Sequence, residues 1–138
     1  MSQSLTGSAL SDMSVLVIDD LEIMRNMIEY ALKAMEVGKI TTSTNGAHAL
    51  SLVESSTEPF DLIICDWMMP QMDGLEFLQK IRARNDNTQF LMLTAKSSSE
   101  AVAIAVKAGA DSYIIKPFTV RDLYKKMLFI SDKFRDRA

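Results

Sequence analysis

Three acids, a hydroxyl and an ammonium recur at equivalent places in this chain, each directly after a short apolar run. Val15-Leu16-Val17-Ile18 meets Asp19 and Asp20, Leu62-Ile63-Ile64-Cys65 meets Asp66, Phe90-Leu91-Met92-Leu93 meets Thr94, and Tyr113-Ile114-Ile115 meets Lys116. Carboxylates crowded together repel, so either their pKa values rise or a cation joins them. Mg²⁺ suits such a set, being a hard ion held by one or two carboxylates together with phosphate oxygens and water. Zinc would call for clustered His and Cys, and the chain has one of each, His48 and Cys65. An ammonium beside the acids neutralises them when the site is empty and grips a phosphoryl oxygen later. A threonine hydroxyl can donate to the same oxygen. Taken singly, each residue has an ordinary reading as a turn start, a cap or a strand exit. The signal lies in four strand ends agreeing on a divalent cation and a phosphoryl group.

That agreement requires elements that bring the four ends together. Unbroken aliphatic runs of this length read as strands buried on both faces, the mark of a parallel sheet. Parallel strands share one direction, so their polar ends meet at the carboxyl edge, where open α/β sheets bind ligands. Between the strands the spacing predicts helices. Met24, Met27, Ile28, Ala31, Leu32 and Met35 give an amphipathic helix over Glu22 to Glu36, with Gly38 as its stop signal. Lys39 to Thr44 reads as a further strand, Asn45-Gly46 as a turn, and Ala47 to Glu54 as a second helix. A loop over Trp67 to Gly74 precedes a third helix ending near Arg84, and Ser97 with Glu100 has capping-box spacing for a fourth that ends at Gly109. Thr119 with Asp122 opens a last helix lined by Leu123, Met127, Ile130 and Phe134. The pattern is β-α repeated five times, an α/β domain with right-handed crossovers and helices on both faces.

Composition narrows the function. The chain has 138 residues and is 48% hydrophobic, an ordinary globular composition for one domain over 13–138. Residues 1–12 are Ser-rich and aperiodic and are expected to form a mobile tail. A formal net charge of −3 gives no basic footprint for nucleic acid, and no apolar stretch is long enough to enter a membrane. A single cysteine cannot form an internal disulfide, so the default is a reducing, cytoplasmic setting. Asp19-Asp20-Leu21 occupies the place where a Gly-rich phosphate loop would stand, which weighs against a nucleotide site. His48 lies in the second helix, away from the carboxyl edge, and reads as a surface residue. Met68, Met69 and Met72 cluster beside Asp66 and read as packing.

The chain resembles the receiver domain of the two-component response-regulator family from about Met13 to Phe134. The resemblance is carried by Val17-Ile18-Asp19-Asp20, by Asp66-Trp67-Met68-Met69-Pro70-Gln71-Met72-Asp73-Gly74, by Thr94-Ala95, and by Gly109 through Phe118 with its Lys116-Pro117. It implies a flavodoxin-like (βα)5 fold, a doubly wound parallel five-stranded sheet in the order 2-1-3-4-5. It further implies that Asp66 accepts a phosphoryl group from a histidine kinase. Asp20, Asp66 and the Met68 backbone carbonyl would bind Mg²⁺, Asp19 would assist through water, and Thr94 and Lys116 would contact the phosphoryl group. Thr94 and Tyr113 would form a switch presenting the fourth helix, the fifth strand and the last helix to a downstream protein.

Within the family the likeness is greatest to the single-domain chemotaxis regulators, through Met24-Arg25, Trp67, Tyr113 and the expected lack of an output domain. The resemblance thus implies a monomeric phosphoacceptor, not a multiple-turnover enzyme, without a role at nucleic acid or membrane. Three positions depart from those regulators: Met68 stands where they carry Asn, Lys96 where they carry Glu, and Leu21 where they carry Phe. Family behaviour ties the first two to how fast the phosphoryl group is lost. A phosphorelay shuttle or a non-motor adaptor is the alternative within the family. From another class, a Mg²⁺-dependent phosphohydrolase with an aspartyl-phosphate intermediate needs an acid two residues beyond a nucleophilic Asp, and residue 21 is Leu.

Overall fold

The computed structural model describes the backbone of residues 10–137 and side chains through residue 133. Five strands, β1 (Ser14–Ile18), β2 (Lys39–Ser43), β3 (Leu62–Asp66), β4 (Gln89–Thr94) and β5 (Ser112–Ile115), alternate with five helices. These are α1 (Glu22–Ala34), α2 (Gly46–Ser55), α3 (Gly74–Ala83), α4 (Ser99–Ala108) and α5 (Val120–Arg137). All strand pairs are parallel, in the order β2-β1-β3-β4-β5. The expected flavodoxin-like topology is therefore observed.

The period-two alternation of the strands divides the apolar residues between two cores. Val15 and Val17, Leu62 and Ile64, and Leu91 and Leu93 face Ile28, Ala31 and Leu32 of α1 and Leu123, Met127 and Ile130 of α5. Leu16 and Ile18, Ile63 and Cys65, and Phe90 and Met92 face Ala49 of α2, Phe77, Leu78 and Ile81 of α3, and Ala101 and Ala105 of α4. Burial of each large aliphatic side chain contributes about 1.5–3 kcal/mol. Both faces of the three central strands are covered, which is why their sequences are continuous apolar runs. β2 is an edge strand and is only partly buried, in keeping with its polar, β-branched sequence.

Helix starts are set by side-chain caps. Asn45 accepts from the His48 N–H, Asp73 from Glu76, and Ser98 from Ala101. Thr119 and Asp122 cap each other reciprocally. The fourth helix thus begins one residue later than the Ser97 spacing suggests; adjacent serines offer equivalent caps, and packing of Ala101 and Ala105 selects Ser98. Gly109 closes α4 in the left-handed region, φ 111°.

Gly38 does not stop α1 by adopting that conformation; Glu36 does, at φ 64°. Gly38 is instead a point of close approach, since a Cβ there would lie 2.0 Å from the Ser11 carbonyl oxygen. The chain ahead of β1 therefore belongs partly to the fold: Leu10 is buried, and its carbonyl accepts from Gly38 N–H at 3.0 Å. The remainder of the expected tail, residues 1–9, lies outside the described residues, as does the Phe134 side chain.

Candidate functional site

β1 lies between β2 and β3, so Asp19 and Asp20 leave the sheet beside Asp66 at the end of β3. One ligand oxygen from each of Asp19, Asp20 and Asp66 lies within 4.8 Å of the others. Asp19 and Asp66 are buried and Asp20 is exposed, so the pocket opens to solvent past Asp20. From β5, two strands away, Lys116 reaches back over the edge. Its Nζ lies 3.0 Å from Asp66 Oδ1 and 3.7 Å from Asp19 Oδ2. The Lys116–Pro117 peptide is cis.

Burial raises the pKa of Asp66 above the usual carboxylate range. The Lys116 hydrogen bond and charge, with the Met68 backbone N–H, act in the opposite direction and do not fully offset it. Burial likewise raises Asp19, against the Leu21 N–H that bonds its Oδ1 at 2.9 Å, and the charges of Asp66 and Asp20 add to the rise. Asp19 Oδ2 is buried without a hydrogen-bond partner. A polar oxygen held out of water and left unpaired is costly unless something enters to meet it. Three clustered carboxylates, one with a buried oxygen that lacks a hydrogen bond and has only the Lys116 ammonium 3.7 Å away, fit a hard divalent cation, and Asp19, Asp20 and Asp66 are the residues that would hold it.

The loop after Asp66 is tightly held. Gly74 N–H donates to the Trp67 carbonyl at 2.8 Å, and a Cβ on Gly74 would lie 2.4 Å from the Asp66 carbonyl oxygen. Only glycine lets α3 begin so close to the end of β3. Met69 is buried and packs in the core with Trp67, and half-buried Met72 packs against Gly46, which accords with their packing role; Met68 instead stands 61% exposed at the mouth.

Thr94 is fully buried at the end of β4, and its Oγ1 accepts from Lys96 N–H at 3.0 Å. Tyr113 stands in β5, opposite Met92, not on the carboxyl rim. Its hydroxyl donates to the Lys96 carbonyl at 2.8 Å, and its ring meets Trp67 edge-on at 6.4 Å. Lys96 Nζ covers Trp67 at 5.1 Å. Sequence reasoning placed Asp19, Asp20, Asp66, Thr94 and Lys116 at strand ends and gave no role to Lys96 as a bridge or to Arg25. Arg25 Nη1 donates to the Asp19 carbonyl at 3.0 Å; its sequence signal was the Met24-Arg25 likeness to the single-domain regulators, which assigned it no role at the site. His48 is exposed on α2, as expected, and its Nδ1 lies 2.8 Å from Ser43 Oγ.

The chain and its fold have counterparts among known proteins. Residues 15–128 match the model of the response regulator receiver domain. The chain is 32% identical over 118 residues to the chemotaxis protein CheY-3 of Vibrio cholerae, covering 84% of this chain and 89% of that protein. It is 34% identical over 117 residues to the chemotaxis protein CheY homolog of Campylobacter jejuni, covering 83% and 89%. Among solved structures, the chemotaxis protein CheY4 of Vibrio cholerae superimposes with a TM-score of 0.78 at 31% identity, over 86% of this chain and 98% of that one. A CheY-like receiver domain protein of Methanospirillum hungatei gives 0.81 at 27% identity, over 91% and 98%. This chain belongs to the response regulator receiver family and is CheY-like within it.

Proposed function

We propose that Asp66 accepts a phosphoryl group from the phosphohistidine of a histidine kinase, and that the phosphorylated domain binds a downstream protein through the face made by α4, β5 and α5. The observation that carries this reading is the pairing of Lys116 with Asp66 at 3.0 Å and with Asp19 Oδ2, an oxygen without a hydrogen bond, at 3.7 Å. A carboxylate nucleophile, an adjacent ammonium and a cation-ready pocket form a set suited to in-line phosphoryl transfer. Asp19, Asp20, Asp66 and the Met68 carbonyl would hold Mg²⁺, which supplies positive charge beside the phosphoryl oxygens when bound.

Asp66 attacks phosphorus through one carboxylate oxygen. The phosphorus–nitrogen bond breaks, and its electron pair returns to the imidazole. Lys116 shifts its ammonium from Asp66 to a phosphoryl oxygen. Thr94 turns its hydroxyl to the same group, and the opened space admits the Tyr113 ring. Ile104, Ile115, Val120 and Tyr124 are exposed on α4, β5 and α5, apolar surface suited to a partner. The names of the relatives favour chemotaxis or a related signalling pathway, and the protein is read as acting as a cytoplasmic monomer. Among the described residues no helix is long and apolar enough to cross a membrane.

Acetyl phosphate with Mg²⁺ tests the acceptor. Wild-type protein should label to at most one phosphoryl per chain, and Asp66→Asn should not label. Equal labelling of the variant would refute the assignment. Sustained release of phosphate from a small ester would favour the phosphohydrolase instead.

A further inference from the structure

The loop that carries the paired acids is tied to β2 by Asp19 N–H, which donates to the Ser43 carbonyl at 3.2 Å, and is closed on itself by three further hydrogen bonds. Leu21 N–H donates to Asp19 Oδ1 at 2.9 Å, Arg25 N–H to the Leu21 carbonyl at 3.0 Å, and Arg25 Nη1 to the Asp19 carbonyl at 3.0 Å. The Leu21 N–H bond fixes which oxygen of Asp19 is occupied and so which one, Oδ2, faces the pocket without a hydrogen bond, 3.7 Å from Lys116 Nζ. Arg25 fixes the peptide from which both Asp19 and Asp20 project. Leu21, at the start of α1, supplies no side-chain cap. Among the described residues, the Arg25 guanidinium is the side chain on α1 with a bond to this loop's backbone.

We propose that Arg25 is a positioning residue for the cation pocket: by holding the Asp19 carbonyl it aims Asp19 and Asp20 at Asp66. The inference rests on the phosphoacceptor reading, which supplies the reason for a cation there. Two simpler roles make different predictions. If Arg25 only braces the fold, its loss lowers stability and leaves the affinity of the folded protein for a cation unchanged. If it acts only as a charge, its loss removes a nearby positive group, and cation binding tightens. Positioning alone predicts weaker binding when a positive charge is removed.

The test uses Mn²⁺, an oxygen-seeking divalent ion whose free concentration is read by electron paramagnetic resonance. Binding is measured for the full chain and for Arg25→Met, which keeps an apolar stem without a donor, and Arg25→Lys, which keeps a charge and a donor. Thermal unfolding is followed in parallel in EDTA. Arg25→Met should weaken Mn²⁺ binding by about 10-fold or more, the range seen when a residue supporting a metal ligand is lost. Arg25→Lys should recover most of the affinity, and both variants should remain folded. Unchanged or tighter binding by Arg25→Met overturns the proposal, as does Arg25→Lys binding no better than Arg25→Met. Failure of the wild-type chain to bind Mn²⁺ would instead overturn the phosphoacceptor reading, and this inference with it.

Discussion

Replacing Lys116 by Met should destabilise the cation-free protein in a way that depends on pH. Lys116 lies 3.0 Å from Asp66 and 3.7 Å from Asp19, whose side chains are 5% and 0% exposed, while its own is 18% exposed. Removing one partner of a buried pair costs about 3–5 kcal/mol, because the remaining charge is left without compensation. The partial exposure of Lys116 reduces this to roughly 2–3 kcal/mol near pH 8. Asp66 and Asp19 are both raised in the folded state, chiefly by burial. The folded chain therefore binds more protons than the unfolded chain above the ordinary carboxylate range, and stability falls as pH rises through that window. Without Lys116 the two acids rise further and the window extends upward. The deficit should therefore be largest at alkaline pH and shrink as pH falls toward the carboxylate range, as protonation relieves the acids left without Lys116.

Urea unfolding followed by circular dichroism in EDTA measures this at several pH values. Asp66→Asn in the Lys116→Met background should recover much of the loss, with a coupling of about 1–2 kcal/mol between the two positions. A deficit of constant size across pH, with no recovery on neutralising Asp66, would show that Lys116 acts through the packing of its stem and that the ion pair contributes nothing.

Two further perturbations address the rest of the site. Gly74→Ala should cost at least about 2 kcal/mol and abolish labelling, because its Cβ would meet the Asp66 carbonyl oxygen at 2.4 Å and Trp67 Cα at 2.9 Å, both main-chain atoms; thermal unfolding and acetyl phosphate labelling check both parts. Met68→Asn combined with Lys96→Glu should change the decay rate of the acyl phosphate by several-fold, read by loss of label after removal of donor, and an unaltered rate would remove these residues from control of its lifetime.

The sequence made the strand ends legible because each apolar run stops at its polar residue, and in a sheet covered on both faces that boundary is where the core ends. Asp66 and Thr94 are the last residues of β3 and β4, while Asp19 and Lys116 directly follow β1 and β5. The strand order came from resemblance, since periodicity does not specify which buried strand neighbours which. Details decided by tertiary contact were not legible. Ser97 and Ser98 are equivalent until α4 packs, and Gly38 resembles a helix stop until the Ser11 carbonyl is found against it. The inclusion of Leu10 in the core could not be read from an aperiodic segment. The Arg25 bond to the Asp19 carbonyl was hidden for another reason: a main-chain acceptor leaves no residue type to recognise.

Lys96 shows how the proposed switch and the proposed lifetime control can be separated. Its N–H donates to Thr94 Oγ1 and its carbonyl accepts from the Tyr113 hydroxyl, so one residue's main chain joins the two switch side chains. Movement of Thr94 toward a phosphoryl group would pull on the peptide that anchors Tyr113, in a loop whose flanking residues are exposed and inexpensive to shift. The Lys96 side chain takes no part in either bond; it lies over Trp67, a contact of about 0.5–1 kcal/mol at an exposed position. Lys96→Glu therefore removes the cation over Trp67 and leaves both main-chain bonds available. Under the proposed function, residue 96 could thus vary in charge, and so alter how long a phosphoryl group survives, without breaking the connection through which Tyr113 would sense it.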